Sequence, residues 1–392
     1  MPPARGGGGT QSISFHELLG QVAPQYLERF GSSMPGRQRE VLRRTLRCRT
    51  PALGGELFRC PDCGHFHYRY HSCNDRHCPL CGQADADQWL DKQRKRLLLP
   101  VIYFLVTFTV PEPLRAWIRS HPQLGYELLF AASAQALQDL AANPKRLGAQ
   151  LGMLGILHTW SRTLIYHPHI HYLVPGGGLS LDQRSWIASR RKFLLHVKAL
   201  AARFRTLFRH LLEPRAPELL AQIPAKVWKQ NWVVHSQAVG SGEKALAYLA
   251  RYIFKTATGN RPLKLLPSGQ VLWPYRDSAT GKSIAIPLDR SELVRRFLQH
   301  VLPARFSRVR FFGWLHPAAK VRANRVRALL KQAPILSEHE HQIWEVLEPS
   351  EDQTPVTKSN AVTCARCATV MILVSSWCPG HRWPSPSQPR AP

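Results

Sequence analysis

Two closely spaced cysteine pairs constrain the fold of this chain more than any other feature. Cys60 and Cys63 are separated by two residues, and Cys78 and Cys81 repeat that spacing after fourteen intervening residues. Four thiolates in this arrangement suit the closed tetrahedral shell of a structural zinc ion. The sequence therefore predicts a small zinc-binding module within residues 48–82, with these four cysteines as its ligands.

Three neighbouring residues leave alternatives to this ligand set. Cys73 and His77 lie between the pairs, where either one can replace a ligand or help to bind a second ion, and we interpret both as spare. Cys48 precedes the pairs and is interpreted as a small buried residue. Four unrelated thiols in a reduced core are the alternative to any zinc site, and the paired spacing argues against it.

A second cluster lies near the carboxy-terminal end of the sequence. Cys364 and Cys367 form another pair, and Cys378 and His381 follow with the same spacing after ten intervening residues. The surrounding Ser- and Pro-rich sequence needs a bound metal or a cross-link in order to fold. This favours a small zinc knuckle built from these four residues. The chain has nine cysteines, no apolar stretch of about 20 residues and no secretory signal, so we expect a reducing, cytoplasmic setting.

The charge balance favours a polyanionic partner. The chain carries 53 Lys and Arg residues against 25 Asp and Glu residues, which gives a formal net charge of +28. This excess recurs along the whole sequence and favours nucleic acid over an acidic membrane surface or a merely basic surface. We expect basic helices over residues 190–212 and 318–332 to contact phosphates, with an affinity that falls steeply as salt is added.

Hydrophobic periodicity and breaker residues divide the chain into elements and domains. Helices are predicted over residues 14–47, 84–98, 125–142, 190–212, 244–255 and 318–332, and strands over residues 101–110, 152–160, 169–174, 232–235 and 309–313. The predicted domains are a disordered segment at 1–12, a helical and zinc-binding domain at 13–99, an α+β domain at 100–335, and a polar tail with the zinc knuckle at 336–392.

Two histidines share one face of a predicted strand. In the run His167–Tyr172, the side chains of His169 and His171 point to one side, and those of Ile170 and Tyr172 point to the other. Two adjacent imidazoles provide half of a divalent-metal site that can polarise a phosphate ester. Two surface histidines on a half-exposed strand are the alternative, which is favoured when such a pair stands alone.

Two tyrosines share one face of a predicted helix. Tyr248 and Tyr252 are four residues apart, so they lie about 6 Å apart along the helix axis and can address one site. A tyrosine hydroxyl is a competent nucleophile for a phosphodiester and gives a covalent phosphotyrosine intermediate. An aromatic core stripe is the alternative, but Ala245, Leu246 and Leu249 can supply a separate apolar face.

Taken in order, these features resemble the HUH endonuclease superfamily, and more closely the two-tyrosine transposases of the IS91 type, which move by a rolling-circle route. The resemblance extends over residues 35–330. It includes the cysteine-rich segment, the His169–His171 motif, the Gly176–Gly178 turn and the helix with Tyr248 and Tyr252. The set in this order is far more specific than any one motif.

The resemblance implies an α+β HUH endonuclease core, with a central antiparallel sheet and flanking helices, preceded by a zinc-binding module. It also implies a Mg²⁺ or Mn²⁺ ion held by His169, His171 and a third ligand, which polarises a phosphate of single-stranded DNA. A tyrosine then attacks and leaves a 5′-phosphotyrosine and a free 3′-hydroxyl. His158 on the adjacent strand is our first choice for the third ligand, and Glu243 is the second.

The resemblance further implies the biological task. Arg251 and Lys255 would steady the phosphate charge, with a solvated helix face as the alternative. We expect a bacterial-type, nucleoid-associated transposase that nicks and rejoins the single-stranded ends of its own element and target DNA. A rolling-circle replication initiator or relaxase and a non-catalytic, zinc-dependent DNA-binding protein are the alternatives. The sequence lacks a P-loop, which argues against an initiator with its own motor.

Overall fold

A computed structural model describes residues 12–81, 84–254, 257–277, 280–332 and 361–380. The α-helices within these residues are α1 Phe15–Phe30, α2 Gly36–Arg47, α3 Ala84–Leu97, α4 Glu112–Ser120, α5 Pro122–Ala142, α6 Val197–Leu212, α7 Pro217–Ala221, α8 Lys226–Lys229, α9 Glu243–Phe254, α10 Arg290–Leu298 and α11 Lys320–Leu329. The strands are β1 Ser12–Ser14, β2 Gly55–Arg59, β3 Phe66–Tyr70, β4 Tyr103–Thr109, β5 Ala149–Gln150, β6 Gly152–Trp160, β7 Tyr166–Pro175, β8 Gly177–Ser180, β9 Trp186–Ala188, β10 Val233–Ala238, β11 Pro262–Leu265, β12 Val271–Arg276, β13 Ser283–Leu288, β14 Val309–Gly313 and β15 Ile372–Trp377.

A five-stranded sheet of order β10-β4-β7-β6-β14 forms the centre of this mixed α+β structure. Every neighbouring pair in it is antiparallel, so the predicted central antiparallel sheet is confirmed. Its strands are rich in β-branched and aromatic residues, which pack well on a pleated surface. On one face, Phe108, Ile170 and Tyr172 are buried in the core formed with α5 and α6; the ring of Phe108 lies 5.1 Å from that of Phe204.

The opposite face of the central sheet packs against α3, α9 and α11. Leu246 and Leu249 of α9 are fully buried there, as the sequence predicted. The start of α9 lies very close to the sheet: Gly242 has a φ of +80°, and a Cβ at this position would lie 2.6 Å from Cγ of Tyr103. Only a glycine allows both this backbone conformation and this approach. Gly242 therefore fixes the height of α9 above β4 at the residue that precedes the helix.

Strand pairing crosses the predicted domain boundaries at residues 99 and 335. β1 pairs with β11, and α1 shares a core with α10 in which Phe15 lies 5.2 Å from Phe297. Likewise β15 pairs with β2, so the tail contributes to the sheet β15-β2-β3. Short strands and single amphipathic helices cannot bury their apolar faces alone, and here each is completed by a segment far away in the sequence.

Three of the predicted helices differ most from the structure. The pattern over residues 14–47 is two helices, because the chain turns before Pro35, which disfavours helical backbone at the residue before it. The predicted basic helices at 190–212 and 318–332 are shorter, as α6 and α11. None of the helices within the described ranges combines the length and the apolar character that a membrane crossing requires.

Candidate active site and cysteine clusters

Three histidines meet on the α9 side of the central sheet. β7 carries His169 and His171, and β6 places His158 directly opposite His169 in the antiparallel register. The candidate ligand atoms of the three side chains all lie within 4.8 Å of one another. The ring of His158 lies 4.5 Å from that of His171 and 5.2 Å from that of His169. The antiparallel register of β6 and β7 thus brings His158 next to His169 and His171.

Hydrogen bonds orient two of these rings. Nδ1 of His169 lies 2.7 Å from the carbonyl oxygen of His167, and Nδ1 of His171 lies 2.8 Å from Oγ1 of Thr107. A carbonyl only accepts, so His169 carries its proton on Nδ1 and keeps the lone pair on Nε2. The hydroxyl of Thr107 can accept from His171 in the same way. Such partners fix the tautomer and the ring angle of a metal ligand.

Burial keeps the three imidazoles neutral. Desolvation holds the pKa of His158 and of His169 well below the ordinary value and lowers the pKa of His171 to about 4. The proximity of the other imidazoles depresses the pKa of His158 further. The neutral ring is the form that binds metal, so at pH 7 the cluster offers three lone pairs without first releasing protons.

Two arginines that the sequence analysis did not identify place positive charge near the histidines. Burial first, and then the charge of Arg115 on α4, lower the pKa of His167 to about 4, and the same charge contributes at His169. The buried Arg308 contributes to the low pKa of His158, after burial and the two histidines. No local pattern marks these arginines, because only the tertiary fold brings them to the site. They create a positive potential that suits an anionic ligand.

Tyr248 of α9 lies beside the histidine cluster. Its ring centroid is 6.3 Å from that of His171, with the two rings at 86° to each other. The side chain is 39% exposed, whereas Leu246 and Leu249 on either side of it are buried. Tyr248 is therefore outside the buried face of α9 and is accessible to solvent at the edge of the histidine cluster.

The remaining predicted residues of α9 are described only in part. Tyr252 and Arg251 lie on this helix, but their side chains are outside the described residues, as is the whole of Lys255. Glu243 begins the helix, and its Oε1 lies 3.2 Å from Nε of Arg94. The carboxylate of Glu243 therefore pairs with an arginine and does not join the histidine group.

The four cysteines that the spacing grouped fall into two clusters, so the predicted ligand set is wrong. The Sγ atoms of Cys78 and Cys81 lie with those of Cys48 and Cys73, all within 4.8 Å of one another. The physical reason is the β2–β3 hairpin. The turn of this hairpin carries Cys60 and Cys63, and its open end carries the cluster that contains Cys78 and Cys81. The five residues of β2 place the two ends about 16 Å apart. The sequence analysis interpreted Cys48 as a buried core residue and Cys73 as a spare residue, but both belong to the group of Cys78 and Cys81.

The self-contained knuckle predicted for the tail is also wrong. Cys364 and Cys367 lie with Cys60 and Cys63, again within 4.8 Å. Cys378 is exposed and belongs to neither group among the described residues, because β15 carries it to the opposite end of the sheet. His381 lies outside the described residues. The signal that was available in the sequence is the count of nine cysteines, which allows two sets of four.

Family comparisons agree with these features. Residues 152–324, which include the histidine strands and α9, match a family model described as "Putative transposase". Residues 18–110, which include the cluster of Cys48, Cys73, Cys78 and Cys81, match a family model described as "Transposase zinc-binding domain". No solved structure matches the chain. The two matched regions together define a transposase with a zinc-binding domain.

Two curated relatives give the same assignment. A Sinorhizobium fredii protein named "Putative transposase y4qJ" is 37% identical over 302 residues, which cover 72% of this chain and 76% of the relative. The "Transposase for insertion sequence element IS801" of Pseudomonas savastanoi pv. phaseolicola is 32% identical over 297 residues, which cover 70% of each protein. The chain belongs to the IS91-type family of insertion-sequence transposases. The predicted family is therefore confirmed, and the zinc-binding domain model and the cysteine clusters support structural zinc.

Proposed function

We propose that this transposase cuts and rejoins single-stranded DNA, with Tyr248 as a nucleophile that becomes linked to the 5′-phosphate. The observation that carries the proposal is the position of Tyr248, whose ring lies 6.3 Å from His171 in a group of three neutral histidines. The antiparallel sheet with His169 and His171 on its middle strand is the arrangement expected of an HUH endonuclease core. The basic net charge supports DNA as the partner.

The histidine cluster suits a divalent cation. Three imidazole ligands on rigid strands leave coordination positions for water and phosphate oxygens, which is typical of catalytic rather than structural sites. A bound ion would act as a Lewis acid on the scissile phosphate. Of the two predicted ions, Mn²⁺ suits this donor set better, because Mg²⁺ strongly prefers oxygen ligands.

The protein residues supply the nucleophile and the geometry. The phenol oxygen of Tyr248 forms a bond to phosphorus, the bond from phosphorus to the 3′-oxygen breaks, and the phenol proton is transferred to the leaving oxygen. The ester is preserved, so the 3′-hydroxyl of a strand can later reverse the step and rejoin DNA. Tyr252, four residues further along α9, would serve a second strand, and Arg251 and Lys255 would contact phosphates.

The cluster of Cys48, Cys73, Cys78 and Cys81 would hold the structural zinc ion of the amino-terminal domain. Sγ of Cys81 lies 3.5 Å from that of Cys48 and 3.8 Å from that of Cys73. A zinc ion with bonds of about 2.3 Å to four sulfurs separates them by about 3.8 Å, whereas a disulfide requires about 2.05 Å. These separations therefore suit a shared ion better than a cross-link.

This zinc site would fix the zinc-binding domain against the catalytic domain. The loop between Cys73 and Cys78 carries Arg76, whose guanidinium donates to the carbonyl oxygens of Phe306 and Pro303 at 2.6 and 3.0 Å. Those carbonyls precede β14, an edge strand of the central sheet. Zinc would thus hold the loop in the shape that this contact needs.

A covalent-adduct assay tests the nicking proposal. Single-stranded DNA spanning the end of the encoding element is incubated with protein and Mn²⁺, and a denaturant-resistant protein–DNA adduct is resolved on a gel. We expect a weaker adduct for Tyr248→Phe and for Tyr252→Phe, and none for the double variant. Tyr275→Phe, on β12 of another sheet, is the matched control and should form the adduct normally.

Three results would contradict all or part of the proposal. A double variant that still forms the adduct would exclude these tyrosines as the nucleophiles. Folded, zinc-loaded protein that binds DNA tightly without any adduct would instead support a non-catalytic DNA-binding protein. Equal cleavage of DNA unrelated to the element ends would favour a nickase with a task other than transposition.

A further inference from the structure

Two distant segments of the chain meet at a second cysteine cluster, half of which lies outside the residues matched by the zinc-binding family. The Sγ atoms of Cys60 and Cys367 lie 3.4 Å apart, those of Cys63 and Cys364 lie 3.5 Å apart, and those of Cys63 and Cys367 lie 3.7 Å apart. The spacing is near the value of about 3.8 Å expected around a tetrahedral zinc ion and far from the value of about 2.05 Å in a disulfide.

The two cysteine turns have the same backbone geometry. In the first, the N–H of Gly64 donates to the carbonyl of Cys60 over 3.1 Å; in the second, the N–H of Ala368 donates to the carbonyl of Cys364 over 2.9 Å. Gly64 has a φ of +69°, and Ala368 has a φ of +59°. Alanine adopts this left-handed conformation only at an energetic cost, so the turn in the tail is held in a shape that its own sequence does not favour.

We propose that Cys60, Cys63, Cys364 and Cys367 bind a second zinc ion, which fastens residues 361–380 to the amino-terminal zinc-binding domain. Four thiolates close the coordination shell, so the site is structural and leaves no position for a substrate. Binding replaces thiol protons by the metal ion and involves no change of oxidation state. Two matched turns that face each other supply this shell without rearrangement.

Strand pairing holds the tail in the position that this site needs. β15 pairs with β2 from Ile372 opposite Arg59 to Trp377 opposite Gly55. At the end of the strand away from the cysteines, the ring of Trp377 covers Gly55, where a Cβ would come within 3.0 Å of it. The zinc ion would therefore join residues 307 positions apart at one end of the sheet, and the tryptophan would close the other end.

Zinc content of the full-length chain tests the proposal. All proteins carry His171→Ala, so that the histidine cluster does not add to the count. We expect two zinc ions per chain in this parent and one after Cys364→Ser/Cys367→Ser. Cys378→Ser removes an exposed cysteine outside both groups and should retain two ions. Cys367→His preserves a ligand and should also retain two.

Cobalt substitution separates the loss of ligands from misfolding. Thiolate-to-cobalt absorption should fall by about half in Cys364→Ser/Cys367→Ser, with the remaining band showing that the first cluster is intact. Two zinc ions in this double variant would overturn the proposal, because the tail would then not ligate the metal. Loss of one ion from Cys378→Ser would also overturn it, in favour of a knuckle contained within the tail.

Discussion

Replacing Gly242 by alanine should displace the start of the helix that carries Tyr248. Gly242 has a φ of +80°, and the new Cβ would lie 2.6 Å from Cγ and 2.8 Å from Cδ2 of Tyr103. That ring has no room to move away. It is 1% exposed, and its hydroxyl accepts from the backbone of Leu99 at 2.8 Å and donates to that of Leu97 at 2.5 Å.

The destabilisation has two parts. A left-handed backbone costs an alanine about 1 kcal/mol relative to glycine. Forcing a methyl group into a packed interior adds about 1–3 kcal/mol, so the free energy of unfolding should fall by about 2–4 kcal/mol in total. Gly240→Ala is the matched control: its φ is +64°, but nothing lies within 4 Å of the added Cβ. It should lose about 1 kcal/mol only.

Urea unfolding of the two variants measures this difference directly, since the effect of alanine on the unfolded chain is common to both. The rate of adduct formation on single-stranded DNA, followed in native buffer, should fall more in Gly242→Ala than in Gly240→Ala, because α9 begins at the residue directly after Gly242. Equal losses of stability in the two variants would refute the steric reasoning and leave backbone strain as the whole effect.

Three further predictions follow from the site and its surroundings. Burial lowers the pKa of His300 to about 3, from about 6.5 in an unfolded chain. Acid therefore protonates the unfolded chain first, so the contribution of His300 to stability is fully present above pH 6.5 and is lost as the pH falls towards 3. The loss is about 2 kcal/mol at pH 5. His300→Gln should therefore lose less unfolding free energy than wild type between pH 7 and pH 5, and parallel losses would contradict this. Thr107→Val removes the hydroxyl at Nδ1 of His171 and should weaken Mn²⁺ binding about 10–100-fold in a calorimetric titration, whereas unchanged affinity would exclude an orienting role. DNA affinity should fall steeply between low and high salt, and a flat response would rule out binding dominated by phosphate contacts.

The sequence by itself determined the local elements and the residues that carry the chemistry. Alternation of side chains along residues 169–174 placed His169 and His171 on one face, and helical periodicity around Tyr248 separated that residue from Leu246 and Leu249. Both patterns depend on backbone geometry within one element, so they are legible without the rest of the fold. The order of these motifs was also enough to indicate the transposase family.

Only the tertiary structure decided which distant residues share a site. The spacing of two residues within each cysteine pair is local, but whether Cys60 joins Cys78 or Cys364 depends on the β2–β3 hairpin and on its pairing with β15. In the same way, Thr107 and Arg115 reach the histidines only through the order of strands in the central sheet and the path that follows β4. Long-range strand pairing is stabilised by the burial of surfaces from several segments at once, and no single segment of the sequence records it.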